Sequence, residues 1–284
     1  MSNYLDTVEE VKNRPDKTKL SIRTMLPEDL LDPEVSSPEL VKHLKLSLDY
    51  EYYDRQAMEK YLYKKKCDCI SIEDCPQCTW SEKLDDKFLC KDLVNFHNLE
   101  TLIAKDVNLT PEIWEKFAKN AKSLREISFS SNTTSSYFDF EDETPEKERI
   151  LDIVFKIPTL ESVTFCYVNL FFCPKGPSNL KYIEIDRVGS DEDKEYKKLI
   201  AESFSENFCT HENLETVKIL QTELDVESLK LDQLPKLKYV EYLNDSFDDS
   251  KVAQTFLSLL RKSNFKHLKI DKNCYDRLTF TLTS

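Results

Sequence analysis

The sequence predicts an α/β fold: a curved solenoid with a parallel sheet on its concave side and helices and loops on its convex side. Three observations predict it. Residues 124–132, Leu-Arg-Glu-Ile-Ser-Phe-Ser-Ser-Asn, put apolar side chains at the first, fourth and sixth places and asparagine at the ninth. The same phase returns along most of the chain, from Leu20/Ile22 to Leu268/Ile270. Segments with helical apolar spacing stand between several of the strands. Read this way, the 284 residues form one elongated body in which neighbouring units share a core.

Leu20 and Ile22 alternate within residues 17–25 and predict a first, degenerate strand, which leaves residues 1–16 as an N-terminal cap or flexible segment. Two prolines within residues 25–33 predict a loop with one short turn. Val41, Leu44, Leu46 and Asp49 resume the phase, and residues 51–65 predict a helix burying Met58, Tyr61 and Leu62. Cys67, Ile70, Ile72 and Cys75 predict the next strand, and Leu99, Leu102, Ala104 and Val107 the one after. Thr110-Pro111-Glu112 is a helix start: a capping hydroxyl, a proline where an N–H has no partner anyway, and an acid at the positive end of the helix dipole. The helix it opens carries Ile113, Trp114, Phe117, Ala118 and Ala121 on one side.

Beyond the strand at 124, Ser130 to Glu143 is an acidic, Ser/Thr-rich insertion that predicts an exposed loop. Thr144-Pro145-Glu146 repeats the helix-start signal, Ile150, Leu151, Val154 and Ile157 supply the buried stripe, and Pro158 stops it. Leu160/Val163/Phe165 and Leu180/Ile183/Ile185 are the next strands. Between them Pro174-Lys-Gly-Pro177 forbids a helix, so this unit is short. Ser190-Asp-Glu-Asp opens a helix with Tyr196, Leu199, Ile200, Phe204 and Phe208 on one face. Leu214/Val217/Ile219 and Leu237/Val240/Tyr242 follow, joined by a connector with little room for a full helix. A last helix, 249–262, buries Val252, Phe256, Leu259 and Leu260 before the final clear strand, Phe265/Leu268/Ile270. The alternating tail, Arg277-Leu-Thr-Phe-Thr-Leu-Thr-Ser, predicts a strand capping the open end of the core.

These residues together resemble the leucine-rich repeat proteins, whose L-x-x-L-x-L-x-x-N pattern stands complete at 124–132. Spacing between equivalent positions runs from 20 residues (Val163 to Ile183) to 36 (Ile127 to Val163). The usual range is about 20–29, so the likeness is to the irregular, helix-bearing members: the ribonuclease-inhibitor-like and F-box-associated classes. The resemblance implies a leucine-rich-repeat solenoid over 17–273, of about nine repeats, with 274–284 as its capping strand. Asn132 and Asn273 keep the asparagine of the pattern. Asp49, Cys75, Thr222 and Asp245 replace it with polar or thiol groups, and Val107, Val168 and Val188 with apolar ones, which implies an uneven stack.

Composition narrows the chemistry. Only Gly176 and Gly189 are glycines, and neither has another within reach, so a phosphate-cradling loop or dinucleotide fingerprint has no backbone to build on. The formal net charge of −13 argues against nucleic acid and favours a basic protein as partner, or else a solvated acidic surface with no preference. No apolar run approaches the roughly 20 residues that span a membrane. The first ten residues lack the basic and apolar segments of a secretory signal, which predicts a cytoplasmic or nuclear protein whose nine cysteines stay reduced.

Cys67, Cys69, Cys75 and Cys78 have the spacing of a four-thiolate zinc site. Repeat phase accounts for Cys67 and Cys75 as small buried residues and turns Cys69 away from them, so packing is preferred and zinc is the alternative; otherwise no cofactor is expected. His43, His97, His211 and His267 are scattered, with no H-E-x-x-H pair, and the glycines allow no G-x-S-x-G elbow.

Strand parity sends alternate side chains to the core and to the concave face. The outward set is mixed and polar near the N-terminus (His43, Lys45, Cys69, Ser71, Glu73, Thr101, Lys105) and small and hydroxylated in the middle (Ser128, Ser130, Ser162, Thr164). Toward the C-terminus it becomes Tyr182, Glu184, Asp186, Lys218, Tyr239, Glu241, His267 and Lys269. Tyrosines beside carboxylates suit a protein-binding anchor, although any exposed strand face favours Tyr, Thr and charge. The expected function is a non-enzymatic scaffold or adaptor binding another protein on this face, with no nucleotide, nucleic acid or membrane as partner. Met25-Leu-Pro-Glu-Asp-Leu-Leu resembles the opening of an F-box, which implies as an alternative the substrate-recognition subunit of a ubiquitin ligase. A GTPase-activating repeat protein and a zinc-stabilised structural subunit are the remaining alternatives.

Overall fold

The computed structural model describes residues 5, 7–23, 31–47, 93–105, 111–130, 144–166, 173–176, 178–186, 202–222, 229–243, 249–262, 265–272 and 278–284. The chain is α/β, with one open sheet of ten described strands: β1 (Lys19–Arg23), β2 (His43–Ser47), β3 (Thr101–Lys105), β4 (Glu126–Ser130), β5 (Ser162–Cys166), β6 (Tyr182–Asp186), β7 (Thr216–Leu220), β8 (Tyr239–Leu243), β9 (His267–Lys272) and β10 (Leu278–Thr283). From β1 to β8 each strand lies parallel to the next in sequence order, an arrangement compatible with a repeat solenoid.

Register is constant across these eight strands, so the apolar residues fall into two straight rows. One runs Leu20, Leu44, Leu102, Ile127, Val163, Ile183, Val217, Val240; the other runs Ile22, Leu46, Ala104, Phe129, Phe165, Ile185, Ile219, Tyr242. All sixteen are buried. A one-residue slip would turn a whole strand's apolar set to the other face, which is why alternation this regular fixes the pairing. Each Leu, Ile, Val or Phe among them contributes about 1.5–3 kcal/mol of burial.

A backbone device joins the units. The carbonyls of Thr18, Lys42, Glu100, Arg125, Glu161, Lys181 and Glu215 each accept two consecutive N–H groups from the start of the following unit, for example Glu161 and Ser162 onto Arg125 O at 2.8 and 2.9 Å. Three residues before the leading leucine of several units sits a buried side chain at a tight turn: Phe96, Ala121, Ile157, His211 and Leu234.

Helices α3 (Pro111–Asn120) and α4 (Thr144–Phe155) pack against each other over the middle of the sheet. Trp114 meets Phe129 edge-on at 5.4 Å, Phe129 stacks on Phe165 at 5.6 Å, and Phe155 stacks on Phe165 at 6.4 Å. Ile113, Phe117, Ala121, Ile150, Leu151, Val154 and Ile157 are buried as the helical stripes require. Between β7 and β8 the described residues of the connector include the 3-10 turn Leu231–Gln233. Residues 202–207 are helical and run into the 3-10 turn Phe208–Thr210, with Phe204 and Phe208 buried.

The unit between β5 and β6 lacks a described helix, and its backbone groups are met by side chains of the next unit. Cys173 N–H donates to Ser203 Oγ (3.0 Å), Asn207 Nδ2 donates to Cys173 O (2.9 Å), Gly176 N–H donates to Thr210 Oγ1 (2.6 Å) and His211 Nε2 meets Pro174 O (2.8 Å). Positions 203, 207, 210 and 211 lie along one helical face, so a single short helix answers a loop that would otherwise bury unpaired groups.

The N-terminal segment is a docked cap. Helix α1 (Val8–Asn13) begins with a complete capping box between Thr7 and Glu10. Leu5 bridges to Ile22 of β1. Arg14, buried, donates to Val11 O at 2.7 Å and to Ser36 O of α2 (Pro33–Ser36), which ties the two short helices together.

Among the described residues β2 pairs directly with β3, and the strand expected at Ile70/Ile72 lies outside the described residues. Residues 51–65, and Cys67, Cys69, Cys75 and Cys78 with them, also lie outside them. One expectation needs correction: at the other end the capping strand β10 is not outermost. It inserts antiparallel between β8 and β9, where Phe280 and Leu282 continue the two core rows and are fully buried. Strand β9 is thereby moved to the sheet edge, and Ile270, expected as the last inward rung, is 48% exposed. The physical reason is alternation: Leu-Thr-Phe-Thr-Leu-Thr has a sharper apolar face than His-Leu-Lys-Ile-Asp-Lys and takes the more buried position.

Candidate interaction face

The face of the sheet opposite the core carries the residues that alternate with the two apolar rows, again in straight rows. Tyr182, Thr216, Tyr239, Thr283 and His267 share one row; Glu184, Lys218, Glu241, Thr281 and Lys269 share the next; Asp186, Leu220, Leu243, Thr279 and Asp271 share the third. All eight residues singled out by parity therefore lie on one face. His267 and Lys269 stand one strand farther from Tyr239 and Glu241 than chain order suggests, because the threonines of β10 intervene.

Over β6–β8 these side chains form a bonded cluster. Tyr182 donates its hydroxyl to the Glu184 carboxylate, and Tyr239 donates to Glu241 Oε2 at 2.9 Å. Lys218 lies between the two acids, its Nζ 3.5 Å from Glu241 and 4.0 Å from Glu184, and 6.0 Å from the centre of the Tyr182 ring. Burial pushes the Tyr182 hydroxyl to a higher pKa, reinforced by its bond to Glu184 and by the surrounding acids; Tyr239 is raised in the same way. Both phenols stay neutral donors. Asp186 accepts from the Cys166 thiol at 3.4 Å, and burial raises its pKa despite that bond. The ion pairs are about a quarter exposed (Lys218 30%, Glu184 23%, Glu241 25%), and each is worth about 0.2–1 kcal/mol. Their larger effect is to hold the tyrosine rings in place.

Parity also sends Leu220 and Leu243 to this face, side by side across β7 and β8. They follow Lys218 and Glu241 by two residues and are detectable by the rule that found those. With the tyrosines they give the cluster an apolar component. Toward the N-terminal end, Lys19, Lys45 and Lys105 stand on β1–β3 with His43 and Thr101, whose side chains meet at 3.2 Å. Ser128, Ser130, Ser162 and Thr164 fill the middle. The face thus has a basic end, a small hydroxylated centre and an acidic, aromatic end. Cys69, Ser71 and Glu73 lie outside the described residues.

One polar group escapes a reading by motifs. His211 is 1% exposed and takes a turn position filled by Phe96, Ala121, Ile157 and Leu234 in other units. Because Pro174 O only accepts, the His211 Nε2 must carry the proton; Nδ1 then accepts from Ser178 Oγ at 2.8 Å. Burial pulls its pKa down, partly opposed by the Pro174 bond. Cys173 Sγ lies 3.9 Å from the ring and burial raises its thiol pKa. The Ser–His pair is enclosed, with Phe155 5.3 Å and Phe208 6.5 Å from the imidazole, and works as an anchor for the helix-free unit.

Among the described residues no group of three or more His, Cys, Asp or Glu could hold a metal ion, and no helix is long and apolar enough to cross a membrane. No protein-family model matches the chain, and a search of curated proteins finds no match.

Proposed function

We propose that this chain is a leucine-rich-repeat solenoid acting as a non-enzymatic scaffold, and that it binds another protein on the concave face formed by the open side of its sheet. The observation that carries this reading is the cluster on β6–β8: two tyrosines two strands apart, each fixed by a carboxylate, with Leu220 and Leu243 beside them. Rigid aromatic anchors among polar groups that are already oriented lose little entropy on binding. On β6–β8 the face carries Glu184, Asp186 and Glu241 against Lys218, and on β9 Lys269 is offset by Asp271, so this end selects a basic segment of the partner and speeds encounter at low salt.

The test is affinity capture with the full chain, its Tyr182→Ala/Tyr239→Ala variant and a control, Lys119→Ala, at an exposed position of α3 away from this face, read by quantitative mass spectrometry. A set of proteins enriched by wild type and control and lost from the tyrosine variant is the expected outcome. Equal recovery by all three overturns the assignment of the face. A copurifying ubiquitin-ligase adaptor would move the role to the F-box-like alternative.

A further inference from the structure

The two edges of the sheet are finished differently. At the β1 edge, Leu5 bridges to Ile22 and α1 is fastened by Arg14. At the other edge β9 pairs with β10 on one side, and no other described strand pairs with it. Its residues are exposed except for a half-buried Leu268, and Ile270 is 48% exposed at the end of an apolar row. Helix α5 (Asp249–Lys262), which packs on β9 and β10, exposes Leu257 at 42%. Two of the four exposed large hydrophobic residues described therefore lie at this end of the molecule.

We propose that β9 is a self-association edge, which pairs antiparallel with β9 of a second copy about a two-fold axis through Ile270, extending the sheet across the dimer. The register follows from charge. Residues directly opposite in an antiparallel pair share a face. With Ile270 opposite Ile270 of the second copy, Lys269 stands opposite Asp271 and Asp271 opposite Lys269, so both outward pairs are of opposite sign. Within one chain the same two groups already meet at 2.7 Å, so pairing exchanges partners without creating a new charge. Shifting the axis to Lys269 or to Asp271 sets like charges face to face, and an axis between residues would set Ile270 opposite Lys269 or Asp271 of the second copy, whereas the chosen register leaves Leu268 with Lys272 as its mixed pair. Lysines on an edge strand ordinarily discourage pairing; here Lys269 penalises the wrong registers and is complementary in one. The two isoleucines close the apolar row that each copy leaves open. The β9 edge shares His267 and Lys269 with the face proposed for the partner protein, but it does not include the Tyr182–Tyr239 cluster on β6–β8.

Sedimentation velocity on the full chain, over about 1 μM to about 1 mM, reads the dimer directly. Wild type is expected to shift from monomer to dimer mass across that range. Ile270→Asp and Lys269→Asp should each weaken the dimer at least about tenfold, and the swap Lys269→Asp/Asp271→Lys should restore it, with melting curves confirming that the variants fold. Hydrogen exchange on wild type supplies a readout free of substitutions: amides of residues 267–272 should gain protection as concentration rises. A monomer at every concentration, a dimer indifferent to Ile270→Asp, or a charge swap no better than the single reversal each overturns the proposal.

Discussion

His211 shows how much one side chain can be asked to do in a repeat. Its counterparts in other units only fill space, whereas it fills space and also meets Pro174 O and Ser178 Oγ. Its folded pKa is lowered from 6.5, chiefly by burial. Below 6.5 the unfolded chain therefore binds a proton that the folded chain resists. Stability is complete above that pH and falls as pH drops from 6.5 toward the folded value, with a slope of at most about 1.4 kcal/mol per unit from this group. His211→Gln keeps a donor for Pro174 O and does not titrate. It is expected to be about 1–3 kcal/mol less stable at pH 7.5 and to show a flatter profile between pH 7.5 and 5.5 in urea melts. A slope identical to that of wild type would place the acid sensitivity elsewhere. A neighbouring contact of the same loop, Gly176 N–H on Thr210 Oγ1, calls for glycine: a Cβ there would lie 2.3 Å from Thr210 O, which is backbone and cannot step aside. Gly176→Ala should cost about 1–3 kcal/mol by loosening the loop from its helix, measurable as a lower urea midpoint.

At the level of elements, the aromatic chain Trp114–Phe129–Phe165–Phe155 joins α3 and α4 to the middle of the sheet. Phe129 touches both neighbours, so Phe129→Ala should cost about 3–5 kcal/mol, whereas Ser128→Ala on the opposite face of the same strand should stay within about 0.5 kcal/mol. Equal effects would mean the faces are assigned the wrong way round. The strands and helices around this chain were legible because their periods of 2 and 3.6 are both uninterrupted: Ile127/Phe129, Ile113/Trp114/Phe117 and Ile150/Val154/Ile157 stand where spacing puts them. The order of β9 and β10 was not legible, because parity assigns faces but not neighbours, and two strands with weak and strong alternation can dock in either order. The open face was legible as a list, yet its internal bonds were not. That Tyr182 points at Glu184 and Lys218 sits between two acids depends on rotamers, which spacing does not specify. In the sequence His211 stands as one of four scattered histidines, because its partners, Pro174 and Ser178, are distant in sequence and offer no motif.

At the scale of the described sheet, core rows that run unbroken from β1 through β8 to β10 make each unit the cover for its neighbour. Stability in such an array is a sum of units and their interfaces, so damage at one end should decay along the rows. Strand β10 gives a sharp test. Removing residues 278–284 takes away Phe280 and Leu282, the only described strand partner of β9, and the cover over Val240 and Tyr242 of β8. Hydrogen exchange on the truncated chain should show protection lost in β8 and β9, reduced in β7 and kept in β1–β4, where Leu44, Leu102 and Ile127 retain both neighbours. The Trp114 environment, four strands from the cut, should report an unchanged near-ultraviolet signal at low denaturant. Uniform loss of protection from β1 to β9 would instead mean that the sheet folds as one cooperative block, and that the rows act as a single core.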